Sequence, residues 1–280
     1  MFLLRQTLHT VVIFLALVGI VAASDPSPTI SKATRSDNGF LIHLVKSPYQ
    51  AGTTKIRVLL PERIDKRKKY PVLFVLPVEA KDADHYGDGL LEVKIADLHN
   101  KHGLICVAPT FSHLPWYADH TTDKTIRQET YFLKVVVPFV DKSYPALGQP
   151  QGRLLVGFSK SGWGAFTLLL RHPNVFGRAA AWDAPLMKVK PNQFGMGPIF
   201  GRLNNFKKYQ VTALLRQHEN LLKKSNRLVL TGYGNFRGHH QQVHQLMKQL
   251  DIKCVYRDGP QRRHRWDSGW LPEAVSLLSQ

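Results

Sequence analysis

The 280-residue chain has only two cysteines, Cys106 and Cys254. Both stand in apolar, strand-like stretches, so they read as buried free thiols, and a disulfide-stapled fold is excluded. Acidic residues are also scarce: 20 Asp and Glu against 38 Lys and Arg give a net charge of +18. The basic residues fall in short scattered groups, among them Lys66 to Lys69, Lys207-Lys208 and Arg262-Arg263. None is a run long enough for a nucleic-acid arm. There is no internal repeat, no long low-complexity tract, and no G-x-G-x-x-G or P-loop pattern, which argues against dinucleotide and nucleotide sites.

Long hydrophobic runs are missing as well. The longest is Val11 to Ala23, 13 residues, where a membrane span needs about 20. Arg5 precedes it, and Val21 and Ala23 place small residues three and one before Ser24. That order predicts a cleaved export signal over 1–23, with an uncleaved anchor as the alternative reading. Export would leave a mature chain of charge about +17, secreted or periplasmic, with no membrane span. A polar leader is expected over 24–38, then one α/β domain over 39–280, large enough to bury a full core.

Apolar runs predict eight strands: 40–45, 55–60, 70–76, 103–108, 153–156, 178–182, 227–231 and 253–256. Tyr70 to Leu76 (YPVLFVL) is apolar throughout, as a strand covered on both faces requires. Helical patterns fall between them at 126–141, where Pro138 threatens a kink, and at 162–171, 211–222, 239–250 and 271–278. Such alternation predicts a mostly parallel sheet of about eight strands with helices on both faces.

The stretch Leu154 to Gly164 (LLVGFSKSGWG) carries the chemistry. A strand runs into Gly157-Phe158-Ser159-Lys160-Ser161, and a helix follows at once. A serine on so sharp a turn stands clear of the sheet at a helix N-terminus, where free N–H groups favour an oxyanion. Ser161 stands where G-x-S-x-G has its second glycine; serine is small, and Gly162 and Gly164 keep the contact loose. Ser159 is therefore the expected nucleophile. His264, alone among 13 histidines in lying past the last strand, is the expected base.

The chain resembles the esterase D-like branch of the α/β-hydrolases, which includes feruloyl esterases and mycolyltransferase-like proteins. The likeness rests on Tyr70-Pro71-Val72-Leu73, the segment from Glu129 to Pro145, Gly157 to Gly164, and His264-Arg265-Trp266 with Trp270. It implies hydrolysis of carboxylic esters or thioesters with no metal or cofactor. The compartment and the resemblance together suggest an ester substrate such as an acylated polysaccharide.

Two further positions depart from that branch. The loop Gly232 to His240, where the third catalytic member is expected, holds no carboxylate, and Asn235 occupies the place. Asp183, at the end of the strand after the elbow helix, is the first candidate for the acid, because ligands bind at that edge of open sheets. Asn235 as a neutral orienter, Asp258 with its loop folded back, a bare Ser–His dyad and a degenerate site stay open. The second departure is Pro77, which has no N–H, so an oxyanion hole would pair the Lys160 amide with that of Val78 or Glu79. The loop Asp82 to Leu90 and the segment Trp116 to His120 follow strand ends on the same rim, either lining the substrate pocket or packing beneath it. His239, His240 and His244 have no acid or cysteine nearby, which argues against a zinc site. These departures and the charge motivate a competing reading, a catalytically silent hydrolase-fold protein that binds an anionic glycan or a cell-surface partner.

Overall fold

The computed structural model describes residues 27–65 and 67–280. The expected export signal and its cut at Ser24 lie outside the described residues. Ten strands form one sheet: β1 Thr29–Ile30, β2 Thr34–Arg35, β3 Leu41–Lys46, β4 Thr53–Leu59, β5 Val72–Val75, β6 Ile105–Pro109, β7 Arg153–Phe158, β8 Arg178–Trp182, β9 Leu228–Tyr233 and β10 Cys254–Gln261. Their order is β1-β3-β4-β6-β5-β7-β8-β9-β10, with β2 also paired to β3. From β6 to β10 every neighbour is parallel, while β1 to β4 pair antiparallel.

The eight apolar runs all become strands. The two further strands come from the polar leader, whose Thr29–Ile30 and Thr34–Arg35 lie along β3. Their side chains are largely exposed, so backbone hydrogen bonds rather than burial hold them there.

Alternation along each central strand divides the core in two. Val72, Phe74 and Leu155 face the side covered by helices at 128–143, 159–171 and 237–249. Leu73, Val75, Leu154 and Val156 face the side covered by helices Gly89–Ile95 and Leu271–Leu278. Burial on both faces is why β5 and β7 are apolar along their whole length. Gly89 and Leu90, read from the sequence as loop, open a helix whose N-cap is Asp88, with its carboxylate accepting the Leu90 amide at 3.0 Å.

The segment expected as one helix over 126–141 is a composite. Gln128–Tyr131 is α-helical, Phe132–Val136 is a π turn, and Val137–Ser143 returns to α. Pro138 lacks the N–H that would close the ordinary ladder, and the wider turn just before it absorbs that loss without a break.

Both cysteines are free. Cys106 on β6 and Cys254 on β10 are separated by four intervening strands, roughly 24 Å at the usual strand spacing, far beyond disulfide reach. Among the described residues no helix is long and apolar enough to cross a membrane.

Strand order reverses at β5, with β6 on one side and β7 on the other. The loops leaving the carboxyl ends of such neighbours diverge and open a crevice. The segments after β5, β7, β8, β9 and β10 meet there.

Candidate active site

At the end of β7 the backbone turns through Ser159, whose φ is +51°, and the helix Ser159–Arg171 starts at that residue. A non-glycine residue in the left-handed region costs about 1 kcal/mol or more, so its neighbours must hold it there. A β-carbon at Gly157 would lie 2.4 Å from the carbonyl of Ser161, so only glycine fits two residues before the turn. One at Gly162 would meet the Ala184 side chain at 2.8 Å, which lets the helix lie close on the segment leaving β8.

Ser161 is more than a tolerated replacement. Its hydroxyl accepts the Phe158 N–H at 3.0 Å and donates to the Phe158 carbonyl at 2.9 Å. A side chain thereby satisfies both polar groups of the residue that enters the turn. Gly164 serves a different contact, because a β-carbon there would fall 2.0 Å from the Tyr117 ring. That ring is fully buried, and its hydroxyl donates to the Pro77 carbonyl at 2.7 Å. Tyr117 thus ties the loop after β5 to the elbow helix. Trp116, Tyr117 and Ala118 are packing residues beneath the loops, and sequence had offered pocket lining as the other choice.

Asp183 follows the last residue of β8 with φ +42° and is fully buried. Its backbone carbonyl accepts the Ser159 amide at 3.2 Å. Its carboxylate accepts the Asn235 amide at 2.8 Å, the Phe236 amide at 2.6 Å and Nδ1 of His264 at 2.5 Å. A β-carbon at Gly234 would come within 2.7 Å of the same carboxylate, so that glycine leaves the space it occupies. Burial alone would raise the Asp183 pKa. The bonds from His264 and from the Phe236, Gly234 and Asn235 backbone outweigh it and hold the group below the usual carboxylate range. An ionised carboxylate only accepts, so Nδ1 of His264 carries the proton and Nε2 is left with a free lone pair.

Aromatic rings frame the imidazole. Phe158 stands edge-on at 5.0 Å, Tyr86 at 5.8 Å and Phe236 at 6.0 Å, with Trp182 tilted at 6.3 Å. Behind them Trp182 and Trp266 each stack on Trp270 at 5.2 Å. The Trp266 amide donates to the Tyr86 carbonyl at 2.8 Å, which joins the loop after β10 to the loop after β5. The Ser159 hydroxyl has no hydrogen-bond partner among the described residues.

Ser159, Asp183 and His264 therefore come together from three sequence-distant segments. Asn235 takes part through its backbone amide, so its side chain is not the orienter that sequence allowed. Asp258 turns away to Arg237 and to the Tyr256 hydroxyl at 3.2 Å. Lys160 and Val78 bring backbone amides that have no acceptor among the described residues: the Lys160 amide lies in the first helical turn, and the Val78 amide follows Pro77 beside β7. Val78 also lines a cavity of about 220 Å³ together with Arg57, Asp88 and Trp266.

The three histidines considered for zinc are engaged separately. Nε2 of His240 accepts the Ala184 amide at 2.8 Å, His239 accepts the Met187 amide, and His244 stacks on Tyr256. Burial depresses the His240 pKa to about 4, so it is neutral, in keeping with its acceptor role. Sequence reasoning placed Tyr86 and Tyr117 on the rim without giving either a contact, and it missed Gly234 and the Phe236 amide. Only the Gly-Tyr-Gly of 232–234 could have signalled the tight approach.

Residues 47–230 match the model of the family described as Putative esterase. Two curated relatives from Mycobacterium tuberculosis, "Esterase MT1326" and "Esterase Rv1288", are each 26% identical over 135 residues, which is 46% of this chain and 29% of theirs. The match thus spans less than a third of those longer proteins. Among solved structures, the fluorophosphonate-binding serine hydrolase FphF of Staphylococcus aureus superposes with a TM-score of 0.69 at 17% identity, covering 86% of this chain and 98% of its own. The S-formylglutathione hydrolase FrmB of the same species gives 0.65 at 16%, covering 91% and 100%. A ferulic acid esterase gives 0.62 at 20%, covering 90% and 96%. These likenesses show the fold, a mostly parallel sheet flanked by helices as in α/β-hydrolases. With two thirds of its length under the family model, the chain belongs to this esterase family.

Proposed function

We propose that the chain is an exported serine esterase that cleaves carboxylic esters through an acyl-enzyme on Ser159. The observation that carries the reading is Asp183, bonded through its backbone to Ser159 and through its carboxylate to His264. With Nδ1 protonated and held, Nε2 of His264 takes the Ser159 proton as the hydroxyl attacks the ester carbonyl. It then returns that proton to the leaving alcohol. Asp183 stays ionised and stabilises the imidazolium. The Lys160 and Val78 amides serve the oxyanion, which gains from donors fixed in advance by the backbone. Water, activated by the same imidazole, then releases the acid.

The competing reading, a silent binding protein, drew on the missing acid, the serine in the elbow and Pro77. Asp183 supplies the carboxylate that the loop after β9 lacks, and the Ser161 hydroxyl caps the elbow; both support the catalytic reading. Export rests on the N-terminal pattern alone, and an acylated polysaccharide is the substrate that compartment favours.

The test is hydrolysis of p-nitrophenyl acetate by the purified protein and by Ser159→Ala and His264→Ala. Turnover in the wild type that both substitutions abolish supports the reading. A wild type no faster than Ser159→Ala contradicts it.

A further inference from the structure

The side chain of Lys160 has a feature that its place in the elbow does not require. Its backbone amide suffices for an oxyanion, and any small or apolar side chain would permit the turn. Instead the ammonium lies half-buried, 5.7 Å from the centre of the Tyr86 ring. No hydrogen bond or ion pair engages it among the described residues. Glu79 is the acid that acts on it, and that carboxylate is committed to Nδ1 of His85 at 2.9 Å and to the Tyr86 amide at 3.1 Å. A desolvated cation without a partner is costly, and burial accordingly pulls the Lys160 pKa down.

Tyr86 bridges this cation to the base. The same ring that lies under the ammonium stands edge-on to His264 at 5.8 Å, and on the esterase reading His264 is the group that hands its proton to the leaving alcohol. Among the described residues, no acid besides Glu79 acts on Lys160. Asp183 is buried, Asp267 is paired with Arg265, and Lys188 adds a second cation over Phe194, a ring that packs on Phe236 beside His264.

We propose that Lys160 is a specificity-determining residue that binds an anionic group, a carboxylate above all, on the alcohol half of the ester. The inference rests on the esterase reading and narrows its substrate class to esters of acidic alcohols. The substrate anion completes an ion pair that the free protein leaves half-made, and a charge-assisted bond in such a site is stronger than one in water.

The test compares 4-acetoxybenzoate with the neutral ester 4-acetoxybenzamide, which share the acyl group and the one ester bond to be cleaved. The measurement is the ratio of their kcat/KM values, so that a general loss of activity cancels. Lys160→Met is expected to lower the ratio about tenfold, and Lys160→Arg to restore most of it. Raising salt should lower the ratio in the wild type and leave it flat in Lys160→Met. A ratio unchanged by Lys160→Met overturns the proposal while leaving the esterase standing. Failure of the wild type to hydrolyse either ester overturns both.

Discussion

The carboxylate of Asp183 and Nδ1 of His264 lie 2.5 Å apart although 81 residues separate them in the chain. Two backbone amides, from Asn235 and Phe236, converge on the same carboxylate. The carboxylate that holds His264 is therefore supplied from the end of β8 and seated by the loop after β9. Replacement by the neutral isostere removes the charge and lets the imidazole adopt the other tautomer. Asp183→Asn should lower kcat for a simple aryl ester by roughly a thousandfold or more, as steady-state kinetics would show.

Gly234 allows a gentler perturbation of the same bond. A methyl group there would press on the carboxylate at 2.7 Å and on the Arg262 carbonyl at 2.9 Å. Gly234→Ala should keep the far-UV circular dichroism of the wild type while kcat falls at least tenfold, since small displacements of catalytic groups are expensive. Unchanged kinetics would mean that the Asp183 contact has slack.

The Ser161 cap predicts a stability effect of known sign. Ser161→Ala leaves the Phe158 N–H and carbonyl without their side-chain partner inside the core. A loss of about 1–2 kcal/mol in urea unfolding is expected. Ser161→Gly, which restores the commoner elbow motif, should fare no better, because it also lacks the hydroxyl.

Acid sensitivity should trace to Glu129. This buried carboxylate accepts bonds from Arg171 and His172 at 2.6 Å and from the Tyr209 hydroxyl at 2.9 Å. Burial would raise its pKa, but the His172 and Arg171 bonds outweigh that and lower it to about 2. A depressed folded-state pKa means stability that is present above the unfolded value near 4.5 and is lost as pH falls toward 2. The contribution is on the order of 3 kcal/mol. Glu129→Gln should be less stable at neutral pH and should show a flatter decline over that window in pH-dependent unfolding.

The free thiols give a control on the fold itself. Burial pushes the Cys106 thiol far above its ordinary pKa, so it should resist a thiol reagent in the native protein and react on unfolding. A melting temperature indifferent to reductant should accompany this result.

The eight strands and the elbow were legible because their signals are local. Leu73 and Phe74 must both be apolar to lie between two layers of helices, and Gly157 must lack a side chain beside Ser161. The two leader strands were not, since Thr29–Ile30 and Thr34–Arg35 are held by backbone bonds that have no side-chain signature. Which carboxylate meets His264 stayed open for a related reason. What brings Asp183 rather than Asp258 to the imidazole is the turning of two amides and the pairing of Asp258 with Arg237, and neither is written in residue types. The π turn before Pro138 was visible only as a threatened kink.

On the catalytic reading, Ser159 is a nucleophile activated through His264 and Asp183. The most direct measurement is mass mapping of the protein after exposure to a fluorophosphonate, with the wild type, Ser159→Ala and Asp183→Asn compared. One adduct per chain is expected on the peptide containing Ser159, absent in Ser159→Ala and formed far more slowly in Asp183→Asn. No adduct, or one on any other residue, would contradict that reading.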